Sequence, residues 1–286
     1  MIWLKWLIVS IGAAIAVTLI LGAYGAARWQ KSSAQLLTQL EAQRAPAAVP
    51  RFNVREIEGL PEPVRRYFRA VLKDGQPIIA AASIEMTGTI NMSAGGESWK
   101  PFTSTQRVVT RSPGFVWDGA VMMYPGVPAR VVDRYSDGEG LLNAKLLGLF
   151  TVANTRGGGE LARGEFMRWF AETPWYPTAL LPSQGVRWQA INSTRANATI
   201  NDGHLSSTLL FRFDDAGLIA SVSAEARGAG VGKDMVMLPW ECTFSNYQPQ
   251  DGMLIPMAGE ASYIRPEGRA SYFVGKVKTA RYEFEP

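Results

Sequence analysis

The chain has 286 residues, 47% of them hydrophobic, with nine tryptophans, one cysteine and one histidine. That is enough apolar material for one large or two small domains, and a single cysteine excludes an intramolecular disulfide. Setting aside Lys5, Arg28 and Lys31, the 29 basic residues fall to 26 against 25 acidic ones, so the body lacks the electrostatic footprint of a nucleic-acid binder.

The first element is the run Trp6–Ala27, which contains no charged residue. As a helix it is about 33 Å long, enough to cross a bilayer core. It is longer than the apolar stretch of a secretory signal, although Ala23, Gly25 and Ala27 offer small residues for cleavage. Residues 1–31 therefore read as an uncleaved, single-pass membrane anchor. Lys5 on one side and Arg28 and Lys31 on the other give almost no orientation bias; the body is expected outside the cytoplasm. Residues 32–54 read as a juxtamembrane stalk. Leu36, Leu37 and Leu40 stand at helical spacing, and a flexible joint is expected near Ala45–Pro50.

Residues 55–286 read as a single β-rich domain. Its clearest helix is Leu60–Leu72, close to residues 61–73. Pro61 and Pro63 suit a first turn. Val64, Tyr67, Phe68, Val71 and Leu72 follow a helical stripe, and Arg65, Arg66 and Arg69 form a solvated face. The period then changes to two: Ile84, Met86, Gly88, Ile90 and Met92 alternate with polar residues, as in a half-buried strand. Strand-like runs follow at Thr103–Arg111, Phe115–Met123, Ala129–Tyr135 and Leu141–Leu149, separated by turn residues. A second helical region spans residues 160–181, with Phe166, Trp169 and Phe170 on one face. Strands resume at Val186, and Asp202-Gly203 between alternating runs predicts a tight hairpin. Further alternating runs continue to Phe284.

The expected class is α+β: an N-terminal transmembrane helix, then an antiparallel sheet of about ten or eleven strands coiled into a half-barrel, with helices on its concave side.

Reactive chemistry is sparse. There is no HExxH, CxxC or DxDxDG spacing for a metal and no GxSxG elbow. Gly157–Gly159 lacks the Lys-Ser/Thr of a phosphate loop, and Gly228–Gly232 does not sit in a βαβ unit. No cofactor is implied. His204 follows a tight turn and reads as solvent-facing. Cys242 lies on an apolar strand face and reads as structural. Asp118, Asp133, Glu165, Glu172, Glu241 and Glu260 are the carboxylates from which acid–base chemistry could be built. The distinctive resource is aromatic. Tyr67, Phe68, Phe166, Trp169, Phe170, Trp175, Tyr176, Trp188 and Trp240 are candidates for the wall of an apolar cavity, with Glu172 and Glu260 as a possible polar site. Met122, Met123, Met235, Met237, Met253 and Met257 add adaptable apolar surface.

The combination of Leu60-Pro61-Glu62-Pro63-Val64-Arg65-Arg66-Tyr67-Phe68 with Trp169, Glu172, Trp175, Pro177, Leu180, Leu181, Val186-Arg187-Trp188, Pro239-Trp240, Gly252, Ile255-Pro256 and Glu260 resembles a bacterial family of unknown function over Leu60–Glu283. That family has no established activity to carry over. The expected architecture also resembles the LolA/LppX lipoprotein carriers, in which a coiled sheet wraps helices around an apolar cavity. That resemblance concerns architecture alone; the uncharged N-terminal run, the near-neutral body and its many apolar aromatics are what lead to the expected function, a membrane-anchored module for a lipid or other hydrophobic ligand at the cell envelope. A carboxylate-dependent hydrolase and a scaffold for another envelope protein are the alternatives. A large exposed apolar patch is what the scaffold needs.

Overall fold

Alternating apolar and polar residues commit most of this chain to strands. In the computed structural model, which describes residues 2–46, 48–93, 96–231 and 234–285, they pair into one continuous antiparallel sheet. The strands are β1 (Ile79–Asn91), β2 (Trp99–Val109), β3 (Gly114–Tyr124), β4 (Val127–Ser136), β5 (Glu139–Leu146), β6 (Phe150–Gly157), β7 (Arg187–Asn192), β8 (Arg195–Asp202), β9 (Leu205–Phe213), β10 (Ile219–Val231), β11 (Asp234–Gln250), β12 (Met253–Arg265) and β13 (Gly268–Phe284). Two meanders, β1–β6 and β7–β13, join where β1 pairs with β13. The order runs from β6 at one edge to β7 at the other, and these two edges do not pair. The fold is thus α+β, a large curled open sheet with a few helices.

The count of thirteen exceeds the expected ten or eleven. The run Leu141–Leu149 is interrupted: Leu147 and Gly148 take φ of 56° and 73° and turn the chain into β6. This strand is exposed along most of its length, so it shows no alternation to detect. At the expected Asp202-Gly203 hairpin, Gly203 has φ 56°, a left-handed conformation that suits glycine, and β8 pairs with β9 as expected.

Two helices lie on the concave face. Helix α2 (Glu62–Val71) starts after Pro61 and buries Val64, Tyr67, Phe68 and Val71. Of the arginines expected on a solvated face, Arg69 is exposed, while Arg65 and Arg66 are half-buried: Arg65 donates to Glu58 O at 3.3 Å, and Arg66 pairs with Glu62 at 3.0 Å and donates to Ser193 O at 3.1 Å. Helix α3 (Gly159–Ala171) follows β6 and packs against β3–β6 on one arm and β9–β10 on the other. Three short 3-10 turns, Thr173–Trp175, Pro177–Leu180 and Pro182–Gln184, then lead to β7. Aromatic donors fasten this buried crossover to backbone carbonyls: Trp169 Nε1 to Val109 O at 3.1 Å, Trp175 Nε1 to Pro256 O at 2.9 Å and Trp188 Nε1 to Leu180 O at 3.0 Å. Tyr282 also donates, to Trp175 O at 2.6 Å. The Trp169 and Trp175 bonds are buried and those of Trp188 and Tyr282 half-buried, so each aromatic donor has a partner where water is scarce.

Helix α1 (Ile2–Glu41) is continuous for 40 residues, where the sequence suggested an anchor and a separate stalk. Its C-terminal half lies on the outer face of the sheet. Trp29 and Leu40 pack with Ala81, Val109, Val116 and Val132, residues whose strand neighbours Ala82, Val108 and Phe115 point into the main core, as a period of two requires. Trp29 Nε1 donates to Asp118 Oδ1 at 2.9 Å, and the Ser33 hydroxyl donates to the same carboxylate. Glu41 pairs with Arg107 at 2.5 Å, and Glu283 pairs with Arg107 and Arg44, both at 2.6 Å. Among the described residues no helix is long and apolar enough to cross a membrane. Within the run Trp6–Ala27, the side chains of residues 8, 14, 15, 18 and 19 lie outside the described residues. The joint expected near Ala45–Pro50 includes residue 47, which lies outside them too.

Candidate functional site

Inward-facing positions of the curled sheet meet the side of α3 in a half-enclosed cavity of about 390 Å³. Its walls are apolar: Trp117 from β3, Trp240 and Phe244 from β11, Phe273 from β13, and Trp175 from the crossover. Trp175 reaches this position because Gly259 on β12 carries no side chain; a Cβ there would lie 2.9 Å from the indole Cζ2. The cavity extends to Met92 and Val152, which are exposed, so it opens at the end of the sheet bearing the β1–β2 and β5–β6 turns.

One side of the cavity is charged. Asp133 (β4), Glu165 and Arg168 (α3), Glu172 just beyond α3, and Arg227 (β10) all line it. Residues 165, 168 and 172 are spaced at i, i+3 and i+7, which places all three on one face of a helix. Arg168 Nη1 lies 2.7 Å from Asp133 Oδ2, and Arg168 Nε lies 2.9 Å from Glu172 Oε1. Gln106 Nε2 donates to Glu172 Oε2 at 2.5 Å. The Arg168 guanidinium also stands 4.9 Å from the Phe115 ring centre and 5.4 Å from that of Trp117. Arg227 donates to the Tyr263 hydroxyl at 2.8 Å and to Gly164 O at 3.3 Å, and stacks 4.8 Å from the Trp240 ring. Such cation–π contacts keep a buried guanidinium favourable.

Glu165 is the member left over. It is 8% exposed, its Oε2 has no hydrogen-bond partner, and its nearest cation, Arg168 Nη1, is 4.0 Å away. Burial, reinforced by Asp133, pushes its carboxyl up to about 7. Burial also raises Asp133, with Arg168 working in the opposite direction, and Asp133 Oδ1 is unpartnered. Trp117 Nε1 is a buried donor without an acceptor. Cys242 lines the same wall, and burial pushes its thiol up, which makes it inert as a nucleophile.

Of the residues expected at the site, Trp175, Trp240, Glu172 and Glu260 line the cavity. Glu260 sits there paired to Arg269 at 2.6 Å. Tyr67, Phe68, Phe166, Trp169, Phe170 and Tyr176 are fully buried in the surrounding core, and Trp188 packs against that core. Asp118 faces the other side of the sheet and holds α1. Glu241 pairs with Arg269 at 3.5 Å, and His204 is exposed. Gly228 and Gly230 form part of the β10–β11 ladder; Gly232 lies outside the described residues. Arg168, four residues before Glu172 and so spaced to pair with it on a helix, joins the site through that pair; Arg227, Trp117, Phe244 and Phe273 complete it without a sequence signal that singled them out. Among the described residues no group of His, Cys, Asp or Glu is placed to hold a metal ion.

The model of a family of unknown function, DUF6920, matches residues 58–282. The chain belongs to this family. Its matched region takes in β1–β12, all but the last two residues of β13, α2, α3 and all the cavity residues named above, so the site is a feature of the family's own domain and α1 precedes it. No curated protein matches the chain. Among solved structures, a LolA superfamily protein from Nitrosomonas europaea is 8% identical with a TM-score of 0.39, covering 72% of this chain and 87% of that one. A beta-barrel-like protein of the domain of unknown function DUF1849 from Brucella abortus is 11% identical with a TM-score of 0.21, covering 75% and 100% respectively. Likenesses at these TM-scores support no inference about function.

Proposed function

We propose that this DUF6920 protein binds a lipid-like, amphipathic molecule in the cavity between sheet and α3, close to a membrane surface. The observation that carries the reading is the cavity itself: about 390 Å³ walled by Trp117, Trp175, Trp240, Phe244 and Phe273 and open at one end. Apolar pockets with a few convergent polar groups are the usual form of small-molecule sites. The membrane part of the reading rests on Trp6–Ala27. This run carries no charge, and its described large apolar side chains, from Trp6 to Tyr24, are exposed. The helix enters the sheet at the same end as the cavity mouth. At Gly25 it passes the β5–β6 turn so closely that a Cβ would lie 2.0 Å from Leu147 O. That end carries exposed Met92, Tyr124, Phe150 and Val152. A ligand leaving a bilayer along this apolar rim reaches the cavity without crossing water.

The test is to purify the full chain from its membrane fraction in lipid nanodiscs and identify molecules that co-purify, beside an Ala261→Trp variant that fills the cavity wall. A lipid-like molecule retained by the wild type and lost from the folded variant supports the reading. Equal recovery from both sinks it. Recovery of the chain in the soluble fraction after carbonate washing sinks the membrane part alone.

A second reading, a carboxylate-dependent hydrolase, draws on the convergence of Asp133, Glu165 and Glu172 on one cavity. Arg168 is ion-paired to two of the three, which leaves Glu165 without a free carboxylate partner of the kind that two-carboxylate hydrolysis uses. Turnover of 4-nitrophenyl octanoate that disappears in Glu165→Gln favours this reading over simple binding.

A further inference from the structure

We propose that the charged side of the cavity recognises an ammonium group, so that the ligand is a cationic amphiphile with its amine against Glu165 and Asp133. This deepens the binding reading above and rests on it. Three carboxylates, Asp133, Glu165 and Glu172, face two guanidiniums, Arg168 and Arg227. Glu260, the fourth carboxylate of the lining, is balanced by Arg269 at 2.6 Å, so the charged side holds one more negative than positive charge when all are ionised. Both guanidiniums are committed to groups of the protein: Arg168 to Asp133 and Glu172, Arg227 to Tyr263 and Gly164. Glu165 is the carboxylate without a hydrogen-bonded cation.

The orphaned atoms point the same way. Glu165 Oε2 and Asp133 Oδ1 are buried acceptors with no donor. Among the residues lining the cavity, Trp117 Nε1 is the one buried donor lacking an acceptor. Buried polar atoms are ordinarily satisfied, and two unsatisfied acceptors on one cavity wall call for a donor from outside. An ammonium supplies three N–H donors and the missing charge together. A carboxylate or phosphate head supplies neither, and it would add a third acceptor and a further negative charge to an anionic wall. The aromatic walls favour a cation as well.

The groups that face Glu165 are Asp133 from β4, Arg168 from its own helix, Glu172 beyond that helix, and Arg227 from β10. Raising the pH through neutrality ionises Glu165 while the guanidiniums stay charged. Amine binding is therefore expected to strengthen between pH 5.5 and pH 8.

The experiment uses the full chain in zwitterionic nanodiscs and three probes of equal chain length: octylammonium chloride, 1-octanol and sodium octanoate. Tryptophan fluorescence follows binding, with empty nanodiscs subtracted. The expected order at pH 8 is octylammonium at least tenfold tighter than octanoate, with octanol between them. At pH 5.5 octylammonium falls toward octanol. In Glu165→Gln, octylammonium weakens to the level of octanol while octanol itself is unchanged. Octanoate equal to or tighter than octylammonium overturns the ammonium assignment and leaves the cavity reading standing. Failure of all three probes overturns the cavity reading as well. If Glu165→Gln does not fold, Glu165→Asp, which keeps the charge and withdraws it, is expected to reduce the amine preference without touching octanol; an unchanged preference overturns the proposal.

Discussion

The hydroxyl of Tyr135 on β4 donates to Asp202 Oδ2 at the β8–β9 turn at 2.6 Å. Eight strands separate β4 from β8 in the sheet order, so this bond crosses the gap that the curl leaves between the two arms. Beneath it, Phe166 of α3 stacks on the Tyr135 ring at 5.1 Å. Tyr135→Phe keeps the ring and removes the bond. It is expected to lower unfolding free energy by about 1–2 kcal/mol and to speed amide exchange in β8 and β9, measured by urea titration and by hydrogen-exchange mass spectrometry.

Glu165 makes stability depend on pH. Its carboxyl is raised from an ordinary 4.5 to about 7 in the fold, so the native state holds the proton more tightly than the unfolded chain. Below pH 4.5 both states are protonated and the group costs nothing. Stability then falls as pH rises from 4.5 to 7, by roughly 3 kcal/mol in total, and stays reduced above that. Glu165→Gln is expected to raise the urea midpoint at pH 8, to leave it nearly unchanged at pH 4, and to flatten the profile between them.

Arg168 has the opposite role. Arg168→Met leaves Asp133 and Glu172 buried without their cation and is expected to cost about 3–5 kcal/mol at pH 8. Because the stranded carboxylates can take up protons, the loss is expected to shrink in acid. A thermal melt at pH 8 and pH 5 checks this; a loss of the same size at both values contradicts it.

The docking of α1 turns on a small residue. Gly25→Val places a side chain where Leu147 O already stands, 2.0 Å from the site of the Cβ. The expected result is a helix lifted from the β5–β6 turn with the sheet intact. Trypsin is then expected to cleave faster after Arg28 and Lys31, while the near-ultraviolet spectrum of the tryptophan core is retained. Asp118→Ala, which removes the acceptor of Trp29 and Ser33, is expected to act in the same direction.

Strand after strand was legible because one face is buried and the other is not. In β3 the run Phe115, Val116, Trp117, Asp118 alternates between inner core and outer face, and the sequence carries that alternation directly. Strand β6 was illegible because neither of its faces is covered for most of its length. The run Leu36, Leu37, Leu40 announced a helix with an apolar stripe, but not that the stripe lies on the back of this sheet. Trp175 and Trp240 stood out as aromatics; Trp117 did not, since its strand reads the same whether its inner face meets a helix or a void.

What the sequence by itself determined is local: an uncharged run from Trp6 to Ala27, a helical stripe through Val64, Tyr67, Phe68 and Val71, a period of two over most of the remainder, and the scarcity of reactive groups. What only the tertiary structure decided is which of those faces meet. Glu165 and Arg168 share one face of α3, but nothing in the separate segments of β4 and β10 marks Asp133 and Arg227 as their neighbours. Periodicity fixes the side of an element on which a residue lies. The curl of the sheet around α3 fixes what lies opposite, and there the energies of buried charges are set by short separations, such as the 2.7 Å and 4.0 Å that separate Arg168 from Asp133 and from Glu165.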